Sequence, residues 1–288
     1  MPELPEVEFC GRALARWTLG RRIIQAEVLD SRSVRASRVS RPSDGHPTGT
    51  SALRHVVLGR APEPPVRHGK RLYWGFGDQG LLLHLGMTGK WTRRETPFGK
   101  VRLQVEGGDW ITFSDPRLLG GVVPCTRDGG LHSLRQGLGP DALLDPLPPL
   151  RGKRAVKLVL MDQSVVAGLG NLHAAEALWR SKLDPRLPAD AISPLQHARL
   201  ARSVRRQLQD EIKAFDNEDE IVYVEDAGAA NPFPVYGQLG KPCPACRAPI
   251  ERFEQGGRST YWCPSCQSGR AIEQGPTQRA TTSRPGHG

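Results

Sequence analysis

The chain has 288 residues, 40 Lys+Arg against 30 Asp+Glu and a formal net charge of +10, so it is long enough for two domains with their own cores. No apolar run approaches the ~20 residues of a membrane helix, and the acidic, proline-bearing start lacks the basic-then-apolar order of a signal peptide. A cytoplasmic location is expected, and the excess of arginine suits a polyanionic partner, because guanidinium forks bind phosphate oxygens in pairs.

Val7 to Leu19 reads as a helix with Val7, Cys10, Leu14 and Trp17 on one face, ended by Gly20. Short alternating runs follow at Ile23–Val28, His55–Leu58, Leu72–Phe76, Leu81–Leu85, Val101–Val105 and Trp110–Phe113, broken by Gly, Pro and Asp. This spacing predicts an antiparallel sandwich or barrel. Residues 31–51, dense in Arg, Ser, Pro and Gly, read as a mobile excursion between strands. The run Asp145-Pro146-Leu147-Pro148-Pro149 is the best linker, since consecutive prolines stop regular structure.

Beyond the linker the period becomes helical. Arg154–Met161 and Asn171–Lys182 read as helices, and Ser193-Pro194 opens a third with a capping serine and a proline at its first position. Leu200, Val204, Leu208, Ile212 and Phe215 form its apolar stripe, while Arg199, Arg202, Arg205 and Arg206 read as a solvated face. From Lys241 β-type residues return, and 270–288 lacks any apolar pattern, as a disordered tail does.

Cys10 and Cys125 stand alone and read as small buried hydrophobes, whereas the other four cysteines have a metal-ligand spacing. Cys243-Pro-Ala-Cys246 and Cys263-Pro-Ser-Cys266 match the C-x2-C…C-x2-C pattern of a tetrahedral zinc site. Four sulfurs leave no open coordination position, so one structural zinc is expected. Ile250, Phe253 and Tyr261 between the knuckles suggest a hairpin too small to have a core of its own.

The N-terminus, Met-Pro-Glu-Leu-Pro-Glu-Val-Glu, carries its own chemistry. Removal of the initiator methionine, which a small second residue permits, would leave Pro2 with a secondary amine. An α-amino group starts near a pKa of ~7.7–8.0, so a neutral fraction is available without the burial a catalytic lysine needs. Attack on an aldehyde-like carbon would give a charged iminium, an electron sink, and Glu3 beside it can shuttle protons.

MPELPEVE, RHGK at 67–70, HLGMTG at 84–89, DPR at 115–117, LGPD at 138–141, MDQSVVAGLGNLHAAE at 161–176, VYG at 235–237 and RSTYWC entering the second knuckle together resemble the formamidopyrimidine-DNA glycosylases. The resemblance runs in order over nearly the whole chain. It implies an α+β, two-domain protein: an N-terminal helix and antiparallel β-sandwich over 1–145, a helix-two-turn-helix domain over 146–238 and a zinc hairpin over 239–269, before the tail at 270–288. It further implies a monomeric, nucleoid-associated base-excision enzyme that flips an oxidised base out of damaged double-stranded DNA, cuts its glycosidic bond and nicks the strand.

By the same resemblance, Pro2 attacks the sugar as the base leaves, Glu3 protonates the opening sugar, Lys70 supports elimination, and Arg258 grips the lesion phosphates. Met87 is the intercalating wedge, Arg117 faces the widowed base, and Leu119 stands where the family usually has an aromatic filler. His84, Lys157, Asn171 and Tyr236 fit DNA-contact positions, and Gly168–Asn171 resembles the turn that brings helix N–H groups to a phosphate. Phe98-Gly99-Lys100 and the segment 226–234 depart from the family pattern. Two alternatives remain at this point: an endonuclease VIII-like enzyme for oxidised pyrimidines, and a non-catalytic zinc-ribbon DNA-binding protein.

Overall fold

The computed structural model describes residues 2–34, 49–226 and 228–268. Helix α1 (Leu4–Thr18) starts before the apolar period does. Pro5 lies in its first turn, where a missing N–H costs nothing, and the Glu6 carboxylate accepts the Glu3 backbone N–H at 2.9 Å. Val7, Cys10, Leu14 and Trp17 are buried, on the expected face.

Two four-stranded antiparallel sheets follow. One runs β1 (Ile23–Val28), β6 (Gly99–Val105), β7 (Trp110–Ser114), β5 (Lys90–Thr92); the other runs β2 (Val66–His68), β3 (Arg71–Phe76), β4 (Gln79–His84), β8 (Gly121–Thr126). They meet through Trp74 of β3 and Trp91 of β5, whose rings pack edge to face at 5.8 Å, and Trp91 continues to Phe113 at 5.6 Å. Leu72, Leu81, Val101, Leu103 and Ile111 complete this core. Burial alternates along β6, whereas β3 and β7 are buried nearly throughout.

Of His55–Leu58, read above as a strand, His55–Val57 instead end helix α2 (Gly49–Val57), and Leu58 makes only an isolated bridge to Ile23. Ala52, Leu53, Val56 and Val57 are the buried residues of α2, a helical i, i+3, i+4 set that the short apolar run hides. Helix α3 (Arg127–Arg135), capped by the Thr126 hydroxyl, follows β8. Cys125 on β8 is half-buried rather than a core residue, whereas Cys10 is buried as expected. Most of the 31–51 excursion and the tail at 270–288 lie outside the described residues.

The second half contributes α4 (Val156–Leu160), α5 (Asn171–Arg180) and α6 (Pro194–Ala214). Ser193 caps α6 by accepting the Gln196 N–H at 3.3 Å, and Arg202, Arg205 and Arg206 are exposed. Val156, Leu160, Leu169, Leu178, Leu200 and Leu208 form a second core that also takes in Leu4 from α1. Ile221 and Tyr223, beyond α6, return to the sandwich core. Residues 2–6 therefore lie at the seam between the two cores. The chain ends, among the described residues, in the hairpin β9 (Glu251–Gln255) and β10 (Arg258–Trp262).

Candidate active site and nucleic-acid interface

Glu3 is the N-cap residue of α1, and its carboxylate caps α5 as well. The N-cap position of α5 is Gly170, which has no side chain to offer. The Glu3 carboxylate takes that place, accepting the N–H groups of Gly170 at 2.6 Å, Leu172 at 2.9 Å and His173 at 3.3 Å. His173 Nδ1 lies 2.6 Å from the same carboxylate. Burial alone would raise this carboxyl, but the cations His173 and Lys70 and the hydrogen bonds outweigh it and hold its pKa at about 2. A side chain at Gly170 has no room: its Cβ would stand 2.3 Å from Glu3 Oε1 and 2.6 Å from Lys70 Nζ.

Lys70 sits in the two-residue turn between β2 and β3, where His68 pairs with Arg71. Gly69 supplies the positive φ of +55° that such a turn needs. The turn is tied down by Asp141, which accepts the Gly69 N–H at 2.7 Å and both arms of Arg67 at 2.6 and 3.2 Å. Arg67 also reaches Glu8 on α1 at 2.8 Å. Burial would raise the Asp141 carboxyl, yet the Arg67 fork and the Gly69 N–H keep it below the usual range. The RHGK and LGPD runs thus form one clamp. Burial takes the Lys70 ammonium below its ordinary pKa, with Arg258 pushing the same way against the Glu3 and Glu6 carboxylates.

Pro2, Lys70, His84, Gly86, Asn171 and Arg258 line a common cleft of about 220 Å³. Arg258 enters it from the first residue of β10. Pro2, whose nitrogen becomes an amine once Met1 is removed, and the cations Lys70 and Arg258 therefore share one space, with the Glu3 carboxylate behind its Gly170 wall.

Beside the cleft, two loops present exposed side chains. Met87 (36% exposed) follows β4, while Arg117 and Leu119 (40% exposed) follow β7. The loops touch through glycines: a Cβ on Gly86 would lie 2.4 Å from Gly120 N, and one on Gly120 would lie 2.7 Å from His84 O. Buried Asp115 holds both, accepting the Thr88 hydroxyl at 2.7 Å, the Gly120 N–H at 2.7 Å and the Arg117 N–H at 3.2 Å. Apolar side chains offered to solvent on a rigid base can wedge between base pairs.

The four cysteine sulfurs lie within 4.8 Å of one another. The two knuckles are alike: Arg247 N–H donates to Cys243 O at 2.8 Å, and Gln267 N–H donates to Cys263 O at 3.0 Å. Four converging thiols, two of them buried, fit one tetrahedral zinc held by Cys243, Cys246, Cys263 and Cys266. With its coordination full, such an ion supplies shape to the hairpin that carries Arg258.

Comparison with known proteins decides the family. Residues 1–122 match the formamidopyrimidine-DNA glycosylase N-terminal domain, 139–220 the H2TH domain of the same enzymes, and 240–269 the zinc finger found in FPG and IleRS. The chain is 35% identical over 283 residues to the formamidopyrimidine-DNA glycosylase of Geotalea uraniireducens, covering 93% of this chain and all of that one. The chain belongs to the formamidopyrimidine-DNA glycosylase family. Its fold is similar to an FPG mutant of Lactococcus lactis in complex with Fapy-dG containing DNA (TM-score 0.78, 26% identity, 92% of this chain and 99% of that one). It is also similar to MutM in complex with carbocyclic 8-oxo-G containing DNA (TM-score 0.77, 27% identity, 92% and 99%).

Within this glycosylase the polar side chains behind the cleft are not where a surface contact would be. Lys157 is fully buried, and its ammonium donates to Asn171 Oδ1 at 2.6 Å and Thr260 Oγ1 at 2.7 Å. Asn171 donates onward to Ser259 O at 3.0 Å. Lys157 therefore ties the α5 turn to the zinc hairpin instead of meeting DNA on the surface. Burial brings its pKa down to about 8, helped by Arg258 and opposed by Glu3. The α5 N–H groups read above as phosphate donors are likewise used by Glu3. Tyr236 is half-buried, its ring 5.3 Å from that of Tyr261. Glu176 positions it by accepting the N–H groups of Val235 and Tyr236, both at 2.8 Å.

Sequence reasoning missed Asp115, Asp141, Glu176 and His173 as site residues, although each lies inside a motif quoted above. A charged residue in an otherwise apolar or glycine-rich run was the available signal.

Proposed function

We infer that this glycosylase excises oxidised purines, formamidopyrimidine and 8-oxoguanine, from duplex DNA and then nicks the strand, working at the nucleoid. The observation that carries this reading is the convergence of Pro2, Lys70 and Arg258 on one cleft, with the Glu3 carboxylate held behind its Gly170 wall. The DNA complexes of the Lactococcus lactis FPG mutant and of MutM support the lesion class.

In the proposed sequence the Pro2 nitrogen bonds to the sugar C1′ as the glycosidic bond breaks, and the departing base takes up the proton that the Pro2 nitrogen gives up. The ring oxygen takes a proton as the sugar opens, leaving an iminium on C1′. Loss of a C2′ proton into that electron sink expels the 3′ phosphate, and Lys70 and Arg258 offset the charge on the departing oxygens. At a pKa of about 2 Glu3 begins as a carboxylate, so it must receive a proton before it can protonate the sugar. Met87, Arg117 and Leu119 fill the space of the flipped base.

Borohydride trapping tests the reading, on duplexes holding 8-oxoguanine, formamidopyrimidine, dihydrouracil or an abasic site. A covalent complex through Pro2, abolished when Met1 is retained, is expected, with faster base release from the two purine lesions. Equal trapping by a Pro2-blocked protein places the nucleophile elsewhere, and faster release of dihydrouracil reverses the lesion assignment.

A further inference from the structure

The ionic chain continues behind Glu3. His173 is buried on α5, with Nδ1 2.6 Å from Glu3 Oε2 and Nε2 2.5 Å from Glu211 Oε2 on α6. Both ring nitrogens face carboxylate acceptors, an arrangement that only the doubly protonated imidazolium satisfies with two donors. Glu211 also lines a second cavity of about 280 Å³, which shares no lining residue with the catalytic cleft. Gln207, on the same cavity, is buried with both amide atoms unpartnered, as befits a wall that water completes. One imidazolium thus joins the Glu3 carboxylate to a second cavity behind it.

The chemistry gives this joint a task. Glu3 carries no proton in the resting enzyme, yet sugar opening consumes one. We propose that His173 is the proton reservoir of Glu3, with Glu211 as the carboxylate that keeps the reservoir charged and oriented. The Nδ1–H bond breaks as a proton passes to Glu3 Oε2, and the sugar ring oxygen takes one from the same carboxyl, so Glu3 ends ionised as it began. The neutral imidazole keeps its Nε2–H on Glu211. When the C2′ proton is later abstracted, it returns through Glu3 to Nδ1, and the cycle neither gains nor loses a proton. His173 touches no reacting atom and is a positioning and proton-supplying residue.

The charged groups facing His173 are Glu3 at the N-cap of α1, Glu6 in α1, Glu211 from α6 and Glu176 from its own helix; the 222–234 segment brings the uncharged ring of Phe233 to 6.3 Å. Burial would strip the imidazole of its proton, and the Glu211 and Glu3 carboxylates override it and lift the pKa well above 6.5. The reservoir is therefore full at neutral pH and empties only in alkali.

This proposal rests on the glycosylase-lyase reading, and the experiment separates the two. Single-turnover base release from an 8-oxoguanine duplex is measured from pH 5.5 to 9.5 for wild type, Glu211→Gln and His173→Gln, beside borohydride trapping on a preformed abasic duplex. Glu211→Gln keeps a hydrogen-bond acceptor but removes a charge, so the alkaline limb of base release should move down by about one pH unit or more. His173→Gln should abolish that limb and slow base release by about 100-fold, the scale of general acid catalysis. A proton supplied by Pro2 would give a limb that ignores Glu211. An alkaline limb at the same pH in wild type and Glu211→Gln overturns the reservoir alone, while a wild type that traps no abasic DNA overturns both readings.

Discussion

The proposed catalytic cleft and the proposed wedge loops are secured by opposite means. Around Glu3 and Lys70 the charges are buried and their partners come from separate elements: α1, the β2–β3 turn, the α5 N-terminus and α6. Met87, Arg117 and Leu119 instead reach solvent from loops whose shared buried anchor is Asp115. Covalent attack tolerates little misplacement, so its groups are locked by desolvated charges that are costly to separate. Penetrating a duplex requires side chains that can adapt, so only their backbone is fixed.

The largest disturbance of this contrast should come from the zinc hairpin, which sits on the rigid side but has almost no core. Val235, Cys243, Ile250 and Cys263 are its buried cluster, against the extensive one of the sandwich. Chelation, or Cys263→Ser, should unfold the hairpin, release Arg258 and abolish strand nicking, while the sandwich keeps its thermal transition. Undiminished nicking by metal-free protein, with zinc content checked by elemental analysis, contradicts this.

Next in size is Gly170→Ala. The backbone there, at φ −129° and ψ −156°, suits alanine, so any loss comes from the added methyl driving Glu3 and Lys70 apart. Base release should fall by about 100-fold, since misplacing reacting groups by about 1 Å costs that much. Wild-type rates would mean that the cleft is as adaptable as the loops.

Asp115→Ala attacks the opposite region. It leaves the Gly120 and Arg117 N–H groups and the Thr88 hydroxyl without their acceptor, at about 1–3 kcal/mol for each buried group left unsatisfied. Lesion-duplex affinity should drop, whereas base release at saturating enzyme falls far less than in Gly170→Ala. Equal losses in both quantities would erase the distinction between the regions.

The smallest change is Leu119→Phe. At 40% exposure Leu119 is not packed in the core, so overpacking does not arise and the melting temperature should stay within the range of surface substitutions. Lesion-duplex titration should show tighter binding by up to about 1–3 kcal/mol, the worth of stacking a base on an aromatic ring. A stable variant with no gain would mean that Leu119 never meets a base.

A pH measurement sharpens the same contrast. Glu3 has a folded pKa of about 2 against the ordinary 4.5, so the folded state is favoured above 4.5 and that contribution is lost as pH falls toward 2. The difference is worth about 3 kcal/mol. Denaturant midpoints between pH 5 and 3 should decline in wild type and decline less in Glu3→Gln.

Short-range features were legible in the sequence. Alternation marked most strands of the sandwich, a capping serine and proline marked the start of α6, and two C-x2-C knuckles marked the metal site, because each depends on residues only a few positions apart. Helix α2 escaped because a reading from His55 keeps only Val56 and Val57 of its four buried residues, and that short run mimics a strand. Tertiary structure alone decided that Glu3 caps α5 from 167 to 170 residues away, that Asp141 clamps the Lys70 turn, and that Lys157 is interior. A carboxylate accepts from any N–H or cation that reaches it, so its type predicts a partner but not which one. Only the packing of two cores against the first six residues selects His173 and Lys70, and with them the charge on the carboxylate proposed to serve the sugar.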